Sequence, residues 1–405
     1  MRGMLCVAKR RRAFGAQHAL RLAFCAAAIG IAGGYALAGS SLVGAIALAD
    51  SGNPLSGARF FVDRENAVSV AARDYPELAA IADQPGTARF GAFSGNDVGR
   101  AVHDYLLRAS RQEPGTVPML ATYRIVDGHC GNWTPTVGDE AGYHAFITSF
   151  AGGIGGRRAV LFLEMDSIIT VGCLTPRGVT IRMNELHDAI NVLTSHCPRL
   201  VIYLDAGAGD AVQAPRVARL LERAGIAQIQ GFFLNSTHFD WTSAEIRFGD
   251  EVSRLTGGKH FVVNTGENGR GPLVPRDRVH QGNEVLCNPP GRGLGPRPTT
   301  NTGYPNVDAF AWTSNPGESG GACVPGAPPM GAFWPAYALM LVHNANYADR
   351  QPGASPARAS RRPRGDGRHT RTLHTPAKRH TRTLRKPAKR HTRTLRKPAK
   401  RHHAR

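Results

Sequence analysis

The chain has 405 residues, 42% of them hydrophobic, and a formal net charge of +20. Its length and apolar content are those of a globular protein with one large domain or two small ones, and not of a disordered chain. The positive charge lies at the two ends: nineteen basic residues against one acid follow residue 350, and six precede Asp50. The overall charge therefore does not identify the mildly acidic body as a nucleic-acid binder.

The first 49 residues have the pattern of an export signal. A basic start, MRGMLCVAKRRR, precedes a mostly small and apolar segment from Leu22 to Ala49, with A-x-A cleavage sites at 36–38 and 47–49. The apolar segment is also long enough to span a bilayer, so residues 1–49 are interpreted as a signal peptide or an N-terminal membrane anchor, with cleavage favoured. Both interpretations predict that the body, residues 50–349, is secreted or held at the cell surface.

Five cysteines lie in the body: Cys130, Cys173, Cys197, Cys287 and Cys323. An exported protein with five cysteines can hold two disulfides and one spare thiol. The body contains no C-x-x-C or H-x-x-x-H pair, so the spacing predicts no zinc site.

Seven short runs of apolar, β-branched and aromatic residues recur along the body. They are ARFFVD from Ala58, PMLATYRI from Pro118, AVLFLEMD from Ala159, LVIYLDAG from Leu200, IQGFFLNS from Ile229, HFVVNTG from His260 and VDAFAWTS from Val307. Runs with so little alternation are typical of buried parallel strands. Helical spacing appears between them in NELHDAINVLTSH and in VARLLERAG, which Gly225 ends. This alternation predicts an α/β fold, either a barrel or a doubly wound sheet, and the polar strand ends favour the barrel.

In a barrel of this kind the chemistry lies at the C-terminal ends of the strands. The side chains expected there are Asp63, Tyr123, Asp166, Asp205, Asn235, Asn264 and Trp312. Asp166 and Asp205 end neighbouring strands, and a pair of carboxyl groups is what glycoside hydrolysis needs, one protonated to assist the leaving oxygen and one to activate water or attack. The alternative is that such residues cap the next helix or bind loop amides.

Two segments interrupt the alternation. The chain from Gly266 to Thr302 is rich in Gly, Pro and Arg and long for a connection, which is typical of a functional or disordered loop. Residues 350–405 contain an 11-residue repeat from Arg368 to Lys400 with Pro in each unit, which predicts a disordered basic tail. Its charge favours an anionic cell-wall polymer as partner and not nucleic acid, the alternative being a solvated tail with no specific partner.

The sequence from Gly317 to Gly321 fits G-x-S-x-G, the nucleophile elbow of serine hydrolases. An elbow opens a helix directly, and the following GGACVPGAPPMG cannot form one because of its Pro and Gly residues. Chain order also requires an acid and then a His downstream, but the body offers only His343, which precedes Asp349. Ser319 is therefore not predicted to be a nucleophile.

The order of segments along the chain resembles glycoside hydrolase family six, the cellulases and cellobiohydrolases, from about Asn53 to Tyr347. The resemblance is carried by NPLSGARFFVD, YRIVDGHC, LFLEMDSI, YLDAG, GFFLNSTHF, FVVNTGENGRGP, CNPPGRGLGPRPTTNTG, DAFAWTSNPGESGGAC and HNANY. It implies a distorted (β/α) barrel of about seven parallel strands that hydrolyses β-1,4-glucans with inversion. It also implies two disulfides, Cys130–Cys173 and Cys287–Cys323, with Cys197 as the spare thiol.

The resemblance assigns roles to individual residues. Asp166 corresponds to the family's general acid, although Met165 replaces the preceding Pro. Asp205 is the retained strand-end carboxylate beside it. The predicted substrate contacts are Tyr123, Asn235, Trp312 and Glu318.

The chain also departs from the family pattern and is a divergent member. His129 stands where the family has the Asp that keeps the acid protonated, and Gly320 stands where it has the proposed base Asp. Glu267 replaces an Arg near that base, and Ser314 replaces a Lys. Three further positions, where the family has Trp or His residues that hold sugar rings, are occupied by Leu286, Ala208 and Ala211.

Because the base and both of its neighbouring cations have changed together, two hypotheses arise. In the first, Glu267 extends its carboxylate into the space opened by Gly320 and serves as the base. In the second, these positions have drifted after a loss of activity. A cationic His129 would lower the pKa of Asp166, the wrong direction for an acid, and a neutral imidazole would not.

The sequence thus predicts an exported, glucanase-like inverting hydrolase acting on β-1,4-linked glucan, with Asp166 as general acid and the base position altered. The alternative is a catalytically impaired carbohydrate-binding protein of the same fold. No cofactor or metal is implied, and a monomer is expected.

Overall fold

The structure is a computed structural model that describes residues 52–94, 97–125, 139–273, 287–321 and 324–351. The chain divides into two units, of which the first ends at Asp349. The helices and strands reported below belong to that first unit. The predicted signal and nearly all of the predicted tail lie outside the described residues.

Seven strands form one sheet in chain order, and each strand is parallel to its neighbours. Their bounds are β1 Thr87–Gly91, β2 Met119–Tyr123, β3 Ala159–Leu163, β4 Leu200–Asp205, β5 Gly231–Leu234, β6 His260–Asn264 and β7 Val307–Ala311. This confirms the α/β class and the distorted barrel of seven parallel strands.

Eight α-helices accompany the sheet in the described part of the chain. They are α1 Ala67–Ala71, α2 Ala79–Ala82, α3 Val98–Gln112, α4 Asp139–Ile154, α5 Pro176–His196, α6 Ala214–Ala224, α7 Thr242–Leu255 and α8 Pro335–His343. Helix α5 begins with Pro176 after Thr175, whose hydroxyl accepts a hydrogen bond from Gly178 N at 3.1 Å. Helix α6 ends before Gly225, as the sequence predicts, and Gly225 adopts φ +96°. None of the described helices is long and apolar enough to cross a bilayer.

The prediction of the first of the seven strands, from Ala58, is wrong. The run from Ala58 contributes a single bridge, Phe60 to Val117, and the strand at this edge of the sheet is β1. The chain turns at Asp63, whose carboxylate accepts hydrogen bonds from Arg108 Nη2 at 2.7 Å and Glu65 N at 3.0 Å. Asp63 therefore ties the turn to α3 and does not end a barrel strand.

The sheet is buried on both faces, as expected for parallel strands between helices. Alternate residues point to opposite sides: Leu161 and Leu163 of β3 pack in the large cluster shared with α3 to α7, whereas Val160 and Phe162 pack in a second cluster. The second cluster contains strand residues from β2 to β7 and none from those helices, so it fills the inside of the curled sheet.

The described strands β1 and β7 are each paired on one side only, and side chains join them. Asn315 Oδ1 accepts from Thr87 N at 2.8 Å, and Asn315 Nδ2 donates to Thr87 O at 2.9 Å. The Thr87 hydroxyl donates to Trp312 O at 2.8 Å. The Asn315 amide thus satisfies both backbone groups of Thr87 where a neighbouring strand would otherwise do so.

The three cysteines that the structure describes fall into two classes. Cys173 and Cys287 are disulfide-bonded, and Cys197 is a free, buried thiol whose pKa burial raises to about 11. Their predicted partners, Cys130 and Cys323, lie outside the described residues, so the two pairings stay predictions.

Candidate active site

The loops that follow β3 to β7 meet at the C-terminal edge of the sheet. Asp166 lies three residues beyond β3, beside Asp205 at the end of β4 and Thr237 on the loop after β5. Asp166 and Glu164 both have left-handed backbones, with φ +67° and +51°, a conformation that is uncommon for residues with a side chain. Such strain is typical of functional sites when the surrounding structure enforces it.

One hydroxyl group holds the Asp166 carboxyl. Thr237 Oγ1, on the loop after β5, donates to Asp166 Oδ1 at 2.6 Å. Burial raises the pKa of Asp166, while the Thr237 bond and the nearby His238, Arg89 and Arg182 act to lower it. A raised pKa is the direction that a general acid needs.

Asp205, at the end of β4, is almost fully buried beside Asp166. Its carboxylate accepts from Ile168 N at 2.8 Å and Gly207 N at 3.2 Å. Burial and the charge of Asp166 raise the pKa of Asp205 to about 7. Asp205 therefore ties the Asp166 loop to its own strand and places a second carboxyl group next to the first.

A buried arginine supports the Asp166 loop from below. Arg182 of α5 is 1% exposed, and its Nη1 donates to Ser167 O at 2.8 Å and to Thr170 Oγ1 at 3.0 Å. The Thr170 hydroxyl in turn donates to Asp166 O at 2.6 Å. Burial lowers the pKa of Arg182, so this loop is fixed by hydrogen bonds to a guanidinium that water does not reach.

Glu164 organises the neighbouring loop after β2. Its Oε2 accepts from Arg124 N at 2.8 Å and Ile125 N at 2.9 Å, and its Oε1 accepts from Tyr143 OH at 3.2 Å. Burial raises the pKa of Glu164. The backbone just beyond Tyr123 is fixed in this way, which keeps that half-buried predicted sugar contact at the edge of the site.

The loop after β7 carries Glu318 as an ion-paired residue. Arg89 of β1 pairs with Glu318 Oε2, and Asn315 Nδ2 donates to Glu318 Oε1 at 2.7 Å. The next residue, Ser319, is 2% exposed and donates its hydroxyl to Pro328 O at 2.7 Å. This buried hydroxyl, bonded to a carbonyl oxygen, agrees with the prediction that Ser319 is not a nucleophile.

Glu267 lies beneath the same loop. Its Oε1 accepts from Gly317 N at 3.2 Å and its Oε2 from Tyr337 OH at 3.3 Å. Burial raises the pKa of Glu267 to about 7, and the nearby Glu318 adds to this increase. Both oxygens of the Glu267 carboxylate thus accept hydrogen bonds in this conformation, one from Gly317 and one from Tyr337 of α8.

Packing closes the space beside Gly320, the position predicted from the resemblance to correspond to the family's base. A Cβ added at Gly320 would lie 2.3 Å from Cys287 Cβ and 3.2 Å from Cys287 O. Gly320 N also donates to Asn288 Oδ1 at 2.8 Å. The space beside Gly320 is therefore occupied by Cys287, and the contacts of Glu267 are on Gly317 and Tyr337.

Two predicted sugar contacts are buried. Trp312 is 1% exposed in a cluster with Leu294 and Tyr337, and its Nε1 donates to Pro296 O at 3.3 Å. Asn235 is fully buried, and its amide bonds to backbone groups of Asp240 and Asn264. In this conformation both residues shape the loops, and Tyr123 and Glu318 are the partly exposed candidates for sugar contact.

Other parts of the site lie beyond sequence reasoning or beyond the described residues. Two ion pairs join residues that are distant in the sequence, and no sequence motif predicts them. They are the buried pair of His238 Nδ1 and Asp210 Oδ1, at 2.9 Å, and the pair of Arg89 and Glu318. His129 lies outside the described residues. In the part of the chain that the structure describes, no cluster of three or more His, Cys, Asp or Glu residues suits a metal ion.

A parallel barrel with two adjoining carboxyl groups at its C-terminal edge is the arrangement of enzymes that use acid and base residues in pairs. Residues 61–345 match the family described as Glycosyl hydrolases family 6. Because this match covers more than half of the sequence, the chain belongs to that family of glycosidases.

Characterised relatives and solved structures agree with this membership. Endoglucanase 1 of Streptomyces halstedii is 31% identical over 273 residues, covering 65% of this chain and 80% of the relative. Endoglucanase A of Cellulomonas fimi is 33% identical over 246 residues, covering 61% of this chain and 51% of the relative, so the match spans about half of that protein.

The fold is similar to that of endoglucanase Cel6 from Mycobacterium tuberculosis, solved in complex with methyl-cellobiosyl-4-deoxy-4-thio-beta-D-cellobioside. The TM-score is 0.65 at 35% identity, over 72% of this chain and 99% of that one. The GH6 enzyme of Orpinomyces sp. Y102, at a TM-score of 0.60 and 22% identity, shows the same fold.

Proposed function

We propose that the protein hydrolyses β-1,4-linked glucan with inversion and that Asp166 is the general acid. The observation that carries this proposal is the environment of Asp166: a left-handed backbone, burial that raises the pKa of its carboxyl group, and the buried carboxyl group of Asp205 beside it. The substrate class is supported by the endoglucanases among the relatives and by the cellobioside ligand of the Mycobacterium tuberculosis enzyme.

The chemistry requires Asp166 to deliver its proton to the leaving glycosidic oxygen while water attacks the opposite face of the sugar. Burial, together with the charge of Asp166, raises the pKa of the adjacent Asp205 to about 7, so the two carboxyl groups can share a proton toward neutral pH. Arg182 and Thr170 hold the backbone of Asp166 in place, so the acid has little freedom to turn away.

The base that activates water is proposed to be Glu267. Support comes from its pKa of about 7, which suits a base near neutral pH, and from its place under the loop that bears Gly320. Its carboxylate accepts hydrogen bonds from Gly317 and Tyr337. To act as the base, it must therefore reach the sugar directly or through a bound water molecule. Replacing Glu267 by Gln tests the role, because unchanged turnover would exclude it.

A carbohydrate-binding protein without turnover is the second candidate. The contact between Gly320 and Cys287 favours it, because the packing leaves no room for a carboxylate at the family's base position. Tyr123 and Glu318 would still be available to contact sugar in such a protein.

An assay of reducing ends released from β-1,4-glucan separates the two candidates. The wild type should release sugar and Asp166→Asn should lose at least about a hundredfold in kcat, because proton transfer contributes that much. The matched control is Asp188→Asn, on the half-exposed side of α5 where Asp188 pairs with His144 at 2.8 Å. Binding without release by the wild type would establish the sugar-binding alternative.

We also propose that the protein is exported and acts as a monomer, cleaved from its signal or anchored by it. The disulfide-bonded state of Cys173 and Cys287 supports an oxidising compartment. The basic tail is proposed to hold an anionic cell-wall polymer through its charge, with no nucleic acid as partner. Deleting residues 350–405 should weaken wall association at low salt, and unchanged association would refute this contact.

A further inference from the structure

The loop after β5 reaches Asp166 through a residue to which no role has been given. Thr237 is exposed, yet its hydroxyl contacts Asp166 Oδ1 at 2.6 Å, within the range of a charge-assisted O–H···O bond. The residue follows β5 in the segment GFFLNSTHF, in which only Asn235 has been assigned a role. Its hydroxyl comes from outside the β3 loop and contacts the Asp166 carboxyl group directly.

The backbone that carries Thr237 is fixed on both sides. Before it, Asn235 bonds to Asp240 and Asn264, and Asn264 Nδ2 donates back to Asn235 O at 2.9 Å. After it, the buried imidazole of His238 pairs with Asp210 of the loop after β4. An exposed hydroxyl between two anchored neighbours is held in a defined place without help from its own burial.

We propose that Thr237 is a positioning residue for Asp166: its hydroxyl occupies Oδ1 and leaves Oδ2 as the oxygen that carries the transferable proton. The inference rests on the proposed function only in giving Asp166 the role of general acid. A donor fixed on one carboxyl oxygen disfavours the proton there, and so it selects which oxygen faces the leaving group. The His238–Asp210 pair keeps the loop that supplies this donor in place.

The Thr237 hydroxyl also affects the proton affinity of Asp166. A hydroxyl that donates to a carboxylate favours the ionised form, so its removal should raise the pKa of Asp166. The other charged groups that act on Asp166 are the cations Arg89, Arg182 and His238, and its charge also acts on Asp205. A substitution at Thr237 leaves all four in place, so the change in titration reports on the hydroxyl.

The experiment compares Thr237→Val, which keeps the shape and removes the hydroxyl, with Thr237→Ser, which keeps the hydroxyl. The matched control is Thr180→Val, an exposed threonine of α5 whose hydroxyl donates to Pro176 O at 3.1 Å. The titration of the Asp166 carboxyl carbon is followed by NMR in the full chain, and the pH profile of kcat/KM for glucan hydrolysis is measured alongside.

We expect Thr237→Val to move the Asp166 titration, and the basic limb of the pH profile, upward by about half a pH unit or more, since one unit corresponds to about the strength of one hydrogen bond. It should also lower kcat, while Thr237→Ser and Thr180→Val stay near wild type. A Thr237→Val protein that titrates and turns over like wild type would overturn the proposal. A shifted titration in a protein that hydrolyses nothing would support the Thr237 contact and contradict the proposed function.

Discussion

A methyl group on Gly320 would lie 2.3 Å from Cys287 Cβ, closer than unbonded carbon atoms approach. Both atoms in this contact are Cβ atoms, whose positions are fixed by the backbone, so rotation of a side chain cannot separate them. The packing at Gly320, where the resemblance predicts that the family has its base carboxylate, thus leaves no space for a side chain. A carboxylate at this position would require a rearrangement of the loop after β7.

Placing an Asp at position 320, as the family pattern has it, should therefore not create a working base. Gly320→Asp is expected to destabilise the fold by about 1–3 kcal/mol through overpacking and not to increase glucan hydrolysis. Thermal unfolding and the reducing-end assay measure the two effects. Gly142→Ala is the control, because Gly142 lies in α4 with no atom within 4 Å of an added Cβ. A Gly320→Asp protein as stable as wild type and more active would show that the loop adapts.

Two buried acids predict the pH dependence of stability. Asp205 and Glu267 both have a pKa raised to about 7 in the folded protein, above their ordinary values of 3.8 and 4.5. The folded state therefore binds more protons than the unfolded state between about pH 4 and pH 7. Their contribution to the free energy of unfolding is largest below about pH 4 and declines as the pH rises toward 7.

Urea unfolding of the wild type, Asp205→Asn and Glu267→Gln at several pH values measures this contribution. Each variant lacks one of the two titrating groups, so its stability should fall less steeply with rising pH than that of the wild type. Parallel curves for all three proteins would contradict the raised pKa values.

A third carboxylate, Asp308, is structural. Its Oδ2 accepts from Tyr203 OH at 2.6 Å and Gln230 Nε2 at 2.9 Å, and its Oδ1 contacts His260 Nδ1 at 2.7 Å. It lies at the start of β7, away from the C-terminal edge that holds Asp166. It joins β4, β6 and β7 by buried polar contacts.

Tyr203→Phe should cost about 1–3 kcal/mol in the free energy of unfolding, because a buried carboxylate loses a donor. Glucan hydrolysis by the folded variant should stay near the wild-type rate. Chemical denaturation and the reducing-end assay test both statements, with Tyr304→Phe, at an exposed tyrosine, as control. Equal stability of the two variants would exclude the structural role of this bond.

The junction between β1 and β7 predicts a local effect. Asn315→Ala removes both amide bonds to Thr87 and the contact with Glu318. We expect faster hydrogen exchange at the Thr87 amide, by at least about tenfold if opening becomes easier by one hydrogen bond to the backbone. Asn301→Ala, at an exposed residue, should leave that amide unchanged. Exchange that is equally slow in both variants would mean that other contacts close the barrel.

The sequence predicted the fold where periodicity and burial coincide. Six of the seven strands were found because their residues are buried on both faces, as in AVLFL of β3, and α6 ended at Gly225 as its left-handed conformation requires. The edge strand β1 was missed because TARFG is short and only partly buried, so it lacks a continuous apolar run. The Phe-rich run from Ala58 was the better match to that pattern but pairs at a single bridge.

The site was predictable only where a residue's role is written in a local motif. Asp166 and Asp205 follow from their strand ends, and their neighbouring strands bring them together. Trp312 and Asn235 are buried and bonded to backbone groups, which a motif does not reveal, and their contacts with sugar stay predictions. Arg89, Thr237 and the Asp210–His238 pair depend on contacts between loops, which spacing along the chain does not encode.

The anomeric form of the first product tests the central claim most directly. Proton NMR of the sugar released from a β-1,4-linked cello-oligosaccharide, recorded before mutarotation, should show the α-anomer, because water attacks the face opposite the bond that Asp166 protonates. Asp166→Asn should give no such signal in the same time. A β-anomer as first product, or full product formation by Asp166→Asn, would contradict inverting hydrolysis with Asp166 as the acid.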